Sequence, residues 1–352
     1  MKINYYTSII LLAASFLSSC SKDEDSSSAM KNDFIKKTTA PAIVGQQLEF
    51  AYAMGSPLNT LSKATAQASI AGDANTGFGL YSYYTTSKAI TADGVSYNAG
   101  QDVPLQTVRE ANTEGNLSTA VMADKIDEVY VNPMVPHGTN MVDMHAATLR
   151  YYYTVPEAAR GQEVSFSFRA EAGNESASLS TPSYKVSRMD MARLIEMQSD
   201  AVCYFSIADM KAYSQAEVDA QNLSGKIDFI YHYQANVDGY AYGHAFVSPG
   251  TAEKYLGTTV VPAGWTKNKT LMEKRIDIFD AQLKGDLPND YIDDIDFETL
   301  ELGHAFDFSL GFAANNGAFM QTADGAYAAY IYVNSASNDG KMTVSIKRYP
   351  LR

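Results

Sequence analysis

The sequence predicts a mainly β protein, in which a β-sandwich domain is followed by a second β-rich domain with little helix. Several short segments alternate apolar and polar residues, a period of two that is typical of half-buried strands. Turns rich in Gly, Asn and Asp separate these segments at the spacing expected for a sandwich. The chain of 352 residues is long enough for two hydrophobic cores.

Residues 1–19 are predicted to be a lipoprotein signal peptide. After Lys2 comes an apolar run at residues 5–17, which is shorter than the roughly 20 residues that a membrane span needs. The run ends in Leu17-Ser18-Ser19-Cys20, the pattern of a bacterial lipobox, so we expect cleavage before Cys20 and lipid attachment to it. Acyl chains contribute about 0.8 kcal/mol per buried methylene to membrane binding. The alternative is an ordinary export signal in which Cys20 is incidental.

Residues 20–40 are predicted to be an acidic, serine-rich tether, because they contain few large apolar side chains. The first folded domain is then expected at residues 41–188. Its clearest strands are residues 47–54 (QLEFAYAM) and 163–171 (EVSFSFRAE), where apolar side chains recur at every second position.

The second domain is expected at residues 189–352, and one helix in it has a clear start. Ser214 and Glu217 have the spacing of a capping box, in which each side chain accepts a hydrogen bond from a free backbone N–H. This helix is expected to end near Asn222. The rest of the domain is predicted to be mostly strands.

The C-terminal end of the chain is predicted to form a β-hairpin. Asp339-Gly340 supplies the residues that tolerate the positive φ of a tight turn. Met342 and the alternate residues after it, Val344 and Ile346, are expected to face the core. Thr343, Ser345 and Lys347 are expected to face the other way.

Charge and motifs exclude several classes of function. The formal net charge is −13, and removal of residues 1–19 takes away one lysine and no acidic residue, which leaves −14. Such a chain repels phosphate backbones, so we expect no nucleic acid partner. The sequence contains no G-x-S-x-G, H-E-x-x-H, G-x-x-x-x-G-K-[ST] or C-x-x-C motif, and it predicts no cofactor. Cys203 is the only cysteine besides Cys20, and we expect it to be a buried, inert thiol.

The densest acidic segment is NDYIDDIDFETLE, residues 289–301. Clustered carboxylates can hold Ca²⁺, which prefers six to eight oxygen ligands. The candidate ligands are Asp293, Asp294, Asp296 and Glu298. A catalytic acid and base of a glycoside hydrolase is the less favoured interpretation of these carboxylates, because two of them would have to face one sugar. The simplest interpretation is a solvated turn that leads into a strand.

Aromatic residues give the remaining candidates for a binding site. Sugar rings can stack on aromatic faces, and the chain has 24 tyrosines and one tryptophan. Trp265 follows a Pro-Ala-Gly turn, and Tyr240 and Tyr242 lie near another turn. All three are predicted as candidates for ligand contact, with packing at the edges of a sheet as the alternative.

The chain resembles a family of lipoproteins from gut Bacteroidetes that is known as a domain of unknown function. The resemblance covers nearly the whole chain after residue 45, in the segments LRYYYTVPEAARGQEVSFSF, SYKVSRMDM, CYFSIADMKAYS, KIDFIYHY, YIDDIDFETLEL, TADGAYAAYIYVN and VSIKRY. It implies a lipid anchor, an N-terminal immunoglobulin-like sandwich and a second β-rich domain. It implies no activity and no site residues.

The residues after the lipidated cysteine resemble a surface-export signal of that phylum. They are Ser21, Lys22, Asp23, Glu24 and Asp25. We therefore expect an outer-membrane lipoprotein that faces the outside of the cell. The leading hypothesis is a non-enzymatic protein that binds an extracellular glycan. The alternative is an adhesin or a structural subunit that contacts another outer-membrane protein.

Overall fold

The structure of the chain is a computed structural model. It describes residues 30–78, 83–85, 90–91, 94–95, 102–104, 126–130, 134–137, 140–143, 145–237, 239–256, 261–285 and 290–352. Antiparallel β-sheets dominate both halves of this described part, which confirms the prediction of a mainly β chain with two β-rich domains.

The N-terminal domain is a sandwich of two main sheets. Its strands are β1 (Lys31–Lys37), β2 (Gln47–Gly55), β3 (Lys63–Ala68), β4 (Gly77–Phe78), β5 (Tyr83–Thr85), β6 (Ile90–Thr91), β7 (Gly94–Val95), β8 (Asp102–Pro104), β9 (Ile126–Tyr130), β10 (Met134–His137), β11 (Asn140–Asp143), β12 (Ala146–Thr154), β13 (Glu163–Val164), β14 (Phe166–Ala172), β15 (Glu175–Ser180) and β16 (Tyr184–Lys185). One sheet has the order β1-β2-β12-β5-β8, with β4 also paired to β12, and the other has the order β15-β14-β3-β9.

Aromatic side chains from the two sheets form the core of this sandwich. The ring of Phe50 lies 4.8 Å from that of Phe166 and 5.4 Å from that of Phe168. Tyr151 meets Phe168 edge to face at 5.6 Å. The alternating residues of β2 and β14 therefore face each other across the sandwich, as their period of two predicts.

The tether predicted for residues 20–40 ends earlier than expected. Residues 31–37 form β1, which pairs with β2 from Lys31↔Gly55 to Lys37↔Phe50, and Met30 is buried. The polar side chains of this segment do not indicate the strand, because an edge strand is held by backbone hydrogen bonds and needs few buried side chains. Phe34 alone packs on the core rings, with Phe168 at 5.1 Å.

The C-terminal domain contains two five-stranded sheets. Its strands are β17 (Asp190–Gln198), β18 (Val202–Ser206), β19 (Lys211–Ser214), β20 (Phe229–Val237), β21 (Tyr240–Val247), β22 (Leu271–Arg275), β23 (Phe308–Phe312), β24 (Gly317–Gln321), β25 (Tyr327–Ser337) and β26 (Lys341–Pro350). Its helices are α1 (Gln215–Gln221), α2 (Ala252–Leu256), α3 (Ala281–Lys284) and α4 (Asp294–Glu298). The sheet orders are β17-β26-β25-β24-β22, called the central sheet below, and β19-β18-β20-β21-β23, called the outer sheet.

Helix α1 begins and ends where the sequence predicts. The Ser214 hydroxyl accepts a hydrogen bond from Glu217 N at 3.3 Å, and a Glu217 carboxylate oxygen accepts one from Ser214 N at 2.8 Å. Asn222 ends the helix in the left-handed region with φ 54°. The capping box is thereby confirmed.

The central sheet is covered on both faces, which corrects the expectation for the C-terminal hairpin. Met342, Val344 and Ile346 face the outer sheet and are buried, as expected. On the opposite face, Ser345 and Lys347 are fully buried rather than solvated. The reason is a second hydrophobic cluster, which is built on this face from Ile43, Met189, Leu283, Ile292, Phe297, Phe319, Ala328, Tyr330, Tyr332 and Tyr349.

This second cluster joins the two domains, since Ile43 belongs to the N-terminal domain. Polar contacts reinforce the junction. Arg160 of the N-terminal domain donates to Asp190 Oδ1 at 2.8 Å and to the carbonyl of Arg188 at 2.9 Å. Ser187 donates to the Asp294 carboxylate, which links the connection between the domains to α4.

Candidate functional site

The exposed tyrosines Tyr240 and Tyr242 lie at the tip of the β20–β21 hairpin. Tyr240 is 70% exposed and Tyr242 39% exposed. Because they are two residues apart on one strand, they point to the same side of the hairpin, with their Cα atoms roughly 7 Å apart. Gly239, with φ 85°, precedes Tyr240 and makes the tight turn that lets the tip form. The hairpin thus presents two aromatic side chains on one face.

The base of this hairpin is firmly packed in the outer sheet. His244 is buried, and its Nδ1 lies 2.8 Å from the hydroxyl of Tyr231. Its ring lies 4.8 Å from that of Tyr233. Burial lowers the pKa of His244, which favours its neutral form. The hairpin is therefore anchored in the outer sheet through the buried residues at its base.

Trp265 lies in a different environment from the one that the sequence suggests. Its side chain is buried, with the residue only 9% exposed, and its ring meets that of Tyr204 at 4.9 Å. The indole Nε1–H donates to Asp219 Oδ1 on α1 at 2.6 Å. Trp265 therefore attaches a loop to α1, and its ring offers no open face to a sugar. The Pro-Ala-Gly turn correctly predicts a loop, but it does not indicate which residues cover the Trp265 side chain.

The acidic segment forms α4 instead of a turn that leads into a strand. Asp293 caps this helix by accepting from Ile295 N at 2.8 Å, and Asp296 accepts from Asp293 N at 2.8 Å. Glu298 accepts from the hydroxyl of Tyr349 at 3.0 Å. Asp294 is buried and accepts from Ser187.

The four candidate ligands, Asp293, Asp294, Asp296 and Glu298, therefore each have their own structural partner, which corrects the prediction of a candidate calcium site. Across the described ranges, no group of three or more His, Cys, Asp or Glu side chains is arranged to hold a metal ion.

The predicted lipidation and export residues lie outside the described residues. These are Cys20 and residues 21–25, so their roles stay predictions. Cys203 is buried, and burial raises the pKa of its thiol to about 12. In the described part of the chain, no helix combines the length and the apolar character that a membrane crossing requires.

Sequence reasoning missed two buried ionisable sites, which are the Lys347–Asp280 pair and Asp228. Lys347 donates to Asp280 Oδ2 and to the carbonyl of Ile292, both at 2.7 Å, and both ionic side chains are fully buried. Asp228 is 5% exposed, and desolvation raises its pKa to about 7. In the sequence, Lys347 occupies a polar position of a strand whose polar and apolar residues alternate, so it resembles an exposed residue. No local sequence signal marks its partner Asp280, which lies 67 residues away.

A further missed feature is a cleft between the two domains, called the interdomain cleft below. Its volume is about 270 Å³. It is lined by Thr39, Pro41, Lys185, Ser187, Tyr291, Asp293, Asp294 and Ile295. The lining comes from segments that are more than 100 residues apart in the chain, so no spacing in the sequence could indicate it.

Comparisons with known proteins divide the chain at the connection between the two domains, after residue 186. A family model described as "Domain of unknown function (DUF4466)" matches residues 27–186, and one described as "Domain of unknown function (DUF8576)" matches residues 187–351. The chain is similar to a DUF4466 family protein from Parabacteroides merdae whose crystal structure is known. The identity is 37%, over 92% of this chain and 99% of that one, with a TM-score of 0.74.

A second solved structure is far more distant. It is BcpA, the major pilin subunit of Bacillus cereus, at 9% identity over 89% of this chain and 63% of that one. Its TM-score of 0.26 is too low to support an argument about fold or function. No curated protein matches the chain.

Proposed function

The chain belongs to the DUF4466 family of two-domain proteins from Bacteroidetes, and from that premise we propose that it is a lipid-anchored, non-enzymatic protein that binds a glycan outside the cell. The observation that carries the proposal is the pair of exposed rings, Tyr240 and Tyr242, on one face of a firmly packed hairpin. Exposed aromatic rings cost free energy in water, and they are enriched where proteins bind ligands.

The hairpin has the chemistry that sugar binding needs. The apolar C–H face of a sugar ring packs on an aromatic ring, while its hydroxyls stay hydrated or reach the tyrosine hydroxyl. Two tyrosines whose Cα atoms lie roughly 7 Å apart on one face can contact neighbouring units of one polysaccharide chain. The formal charge of −13 favours neutral over anionic polysaccharides, because like charges repel.

A soluble form tests this proposal. It should begin at residue 27, because Met30 is buried and β1 begins at Lys31. We expect it to bind at least one neutral plant or host polysaccharide on a glycan array and in affinity gels. Aromatic contacts contribute about 0.5–1.5 kcal/mol each. The double variant Tyr240→Ala, Tyr242→Ala should therefore bind about 5 to 150 times more weakly.

The matched control is Phe306→Ala, which removes another exposed aromatic ring, 64% exposed and on a different loop. We expect this variant to bind like the wild type, and all variants to unfold at the same temperature. A wild-type protein that binds no polysaccharide would refute the proposed function. Unchanged binding by the tyrosine double variant would instead remove the hairpin as its site.

The membrane location has its own test in cells. Cys20→Ala should release the protein from the membrane fraction, because the acyl chains are its anchor. The triple variant Asp23→Ala, Glu24→Ala, Asp25→Ala should keep the lipid but lose access to protease added outside the cells. Equal protease access in this variant and in the wild type would contradict the export role of the acidic residues.

One observation favours the second candidate function, an adhesin or structural subunit. Strand β15 is the terminal strand of its sheet, and Ser176, Ser178 and Ser180 are exposed along it. It contains no lysine or proline, the residues that commonly protect an edge from strand addition. Pull-down of a specific outer-membrane protein by the soluble form, lost in a Ser178→Pro variant, would support this function over glycan binding.

A further inference from the structure

The interdomain cleft contains a buried carboxylate that is only partly satisfied. Asp294 is 6% exposed, and its Oδ1 accepts from Ser187. Its Oδ2 lies 3.5 Å from Arg188 N and 3.9 Å from Lys185 Nζ. Ordinary N–H···O bonds measure about 2.7–3.2 Å, so neither contact is a full hydrogen bond. A ligand group that donates a hydrogen bond to such a weakly contacted, buried carboxylate oxygen therefore gains binding free energy.

A second polar group in the cleft has no partner. The hydroxyl of Tyr291 is buried and forms no hydrogen bond to any described residue. An unsatisfied buried hydroxyl costs about 1–3 kcal/mol, but this one has almost no accessible surface, so a ligand in the cleft does not contact it. Tyr291 and Asp294 both line the cleft. The cleft therefore offers the Asp294 carboxylate, and not the Tyr291 hydroxyl, as its buried polar contact for a ligand.

The remaining walls of the cleft combine apolar surface with one cation. Pro41 and Ile295 contribute apolar surface, and Ile295 is 63% exposed. Lys185 lies at the rim with a side chain that is 63% exposed. Apolar walls with a few convergent polar groups are typical of small-molecule sites. The volume of about 270 Å³ is slightly smaller than that of most such sites and suits one small ring.

We propose that the interdomain cleft binds a single sugar residue. Adjacent sugar hydroxyls supply donors for Asp294 Oδ2, and a sugar oxygen accepts from Lys185. The C–H face of the ring packs on Pro41 and Ile295. A simple anion is disfavoured, because Asp293 and Asp294 both line the cleft.

This site is separate from the hairpin. The hairpin belongs to the outer sheet, whereas Ile292 and Phe297, which flank the cleft residues in the chain, pack on the opposite face of the central sheet. The ligand class rests on the proposed glycan-binding function, but the site does not. Since the lining comes from both domains, the bound sugar also bridges them.

The test is a titration of the soluble form with free monosaccharides, including glucose, galactose, mannose, xylose and N-acetylglucosamine, by saturation-transfer NMR and calorimetry. We expect saturable binding of at least one, with a Kd on the order of 1 mM. Asp294→Asn replaces one carboxylate oxygen with a donor and should weaken binding at least tenfold. Ile295→Trp should do the same by filling the cleft, and its exposed position makes a folding defect unexpected.

The matched control is Ile276→Trp, because Ile276 is 73% exposed and lies outside the cleft. It should bind the sugar like the wild type. Absence of binding by every monosaccharide, or binding unchanged by both cleft variants, would overturn the inference. Binding of Ca²⁺ or methylamine in place of sugars would also overturn it.

The two proposals fail in different ways. Polysaccharide binding that depends on Tyr240 and Tyr242, without monosaccharide binding at the cleft, would leave the proposed function standing and refute the cleft. Monosaccharide binding that Ile295→Trp abolishes, in a protein that binds no polysaccharide, would support the cleft alone.

Discussion

The buried carboxyl of Asp228 should make the stability of the C-terminal domain depend on pH. Its Oδ2 accepts from Ile207 N at 2.7 Å and its Oδ1 from the Thr270 hydroxyl at 3.2 Å. These bonds favour the ionised form, yet desolvation outweighs them and raises the pKa from 3.8 to about 7. The nearby charges of Asp324 and Asp209 raise it further.

The direction and size of the effect follow from this shift. The folded state holds the proton of Asp228 up to a higher pH than the unfolded state does. Its contribution to stability is therefore fully present below about pH 4 and is lost as the pH rises through about 7. A shift of about 3 pKa units corresponds to about 4 kcal/mol, an upper limit for this group.

Asp228→Asn isolates this contribution from those of the other titrating groups. Asparagine is close to the same shape, its oxygen can accept from Ile207 N, and its amide can donate to the Thr270 hydroxyl. The free energy of unfolding of the variant, minus that of the wild type, should rise by about 4 kcal/mol between pH 4 and pH 8.

Urea unfolding followed by tryptophan fluorescence measures this difference. Trp265 is the sole tryptophan, and it is buried in the same domain against Tyr204. Glu253→Gln is the control, because that carboxylate is 71% exposed in the same domain. A difference for Asp228→Asn that stays constant from pH 4 to pH 8 would refute the reasoning.

Three further predictions concern stability and reactivity. Lys347→Met leaves the carboxylate of Asp280 buried without its cation and should lower the free energy of unfolding in urea by about 3–5 kcal/mol. Adding Asp280→Asn should recover part of this loss. A loss below about 1 kcal/mol for Lys347→Met would contradict the prediction. Ser214→Ala removes the cap of α1 and should cost about 1 kcal/mol, and an unchanged urea midpoint would show that the cap is dispensable. Cys203 should not react with a thiol reagent at pH 8 until the soluble form is unfolded, because its pKa is raised to about 12, and rapid labelling of the native protein would exclude burial.

The features that the sequence predicts well depend on near neighbours in the chain. The capping box of α1 joins residues three apart, and the C-terminal hairpin turns at Gly340, with φ 77°. The segment at residues 270–285 shows the limit of such patterns. It begins as the strand β22 and ends as the helix α3, and Ile276 and Ile278, which alternate as in a strand, lie between the two elements and belong to neither.

Candidate sites were harder to predict because exposure depends on what packs from elsewhere. Tyr240 and Trp265 both follow turn residues, yet one is 70% exposed and the other 9%. The difference is Tyr204 and Asp219, which cover Trp265 from distant parts of the chain. The acidic segment likewise resembles a cation site until the partners of each carboxylate are known.

The sequence by itself determined the mainly β architecture and the local turns and caps, because these arise from side-chain periodicity and backbone preference. Its length of 352 residues also indicated two domains. It also carries the predicted lipobox, which needs no fold. Only the tertiary structure decided that the central sheet is buried on both faces, that Lys347 meets Asp280, and that Asp294 and Tyr291 line a cleft between domains. These features join residues distant in the chain, and burial alone sets the cost of leaving them without partners.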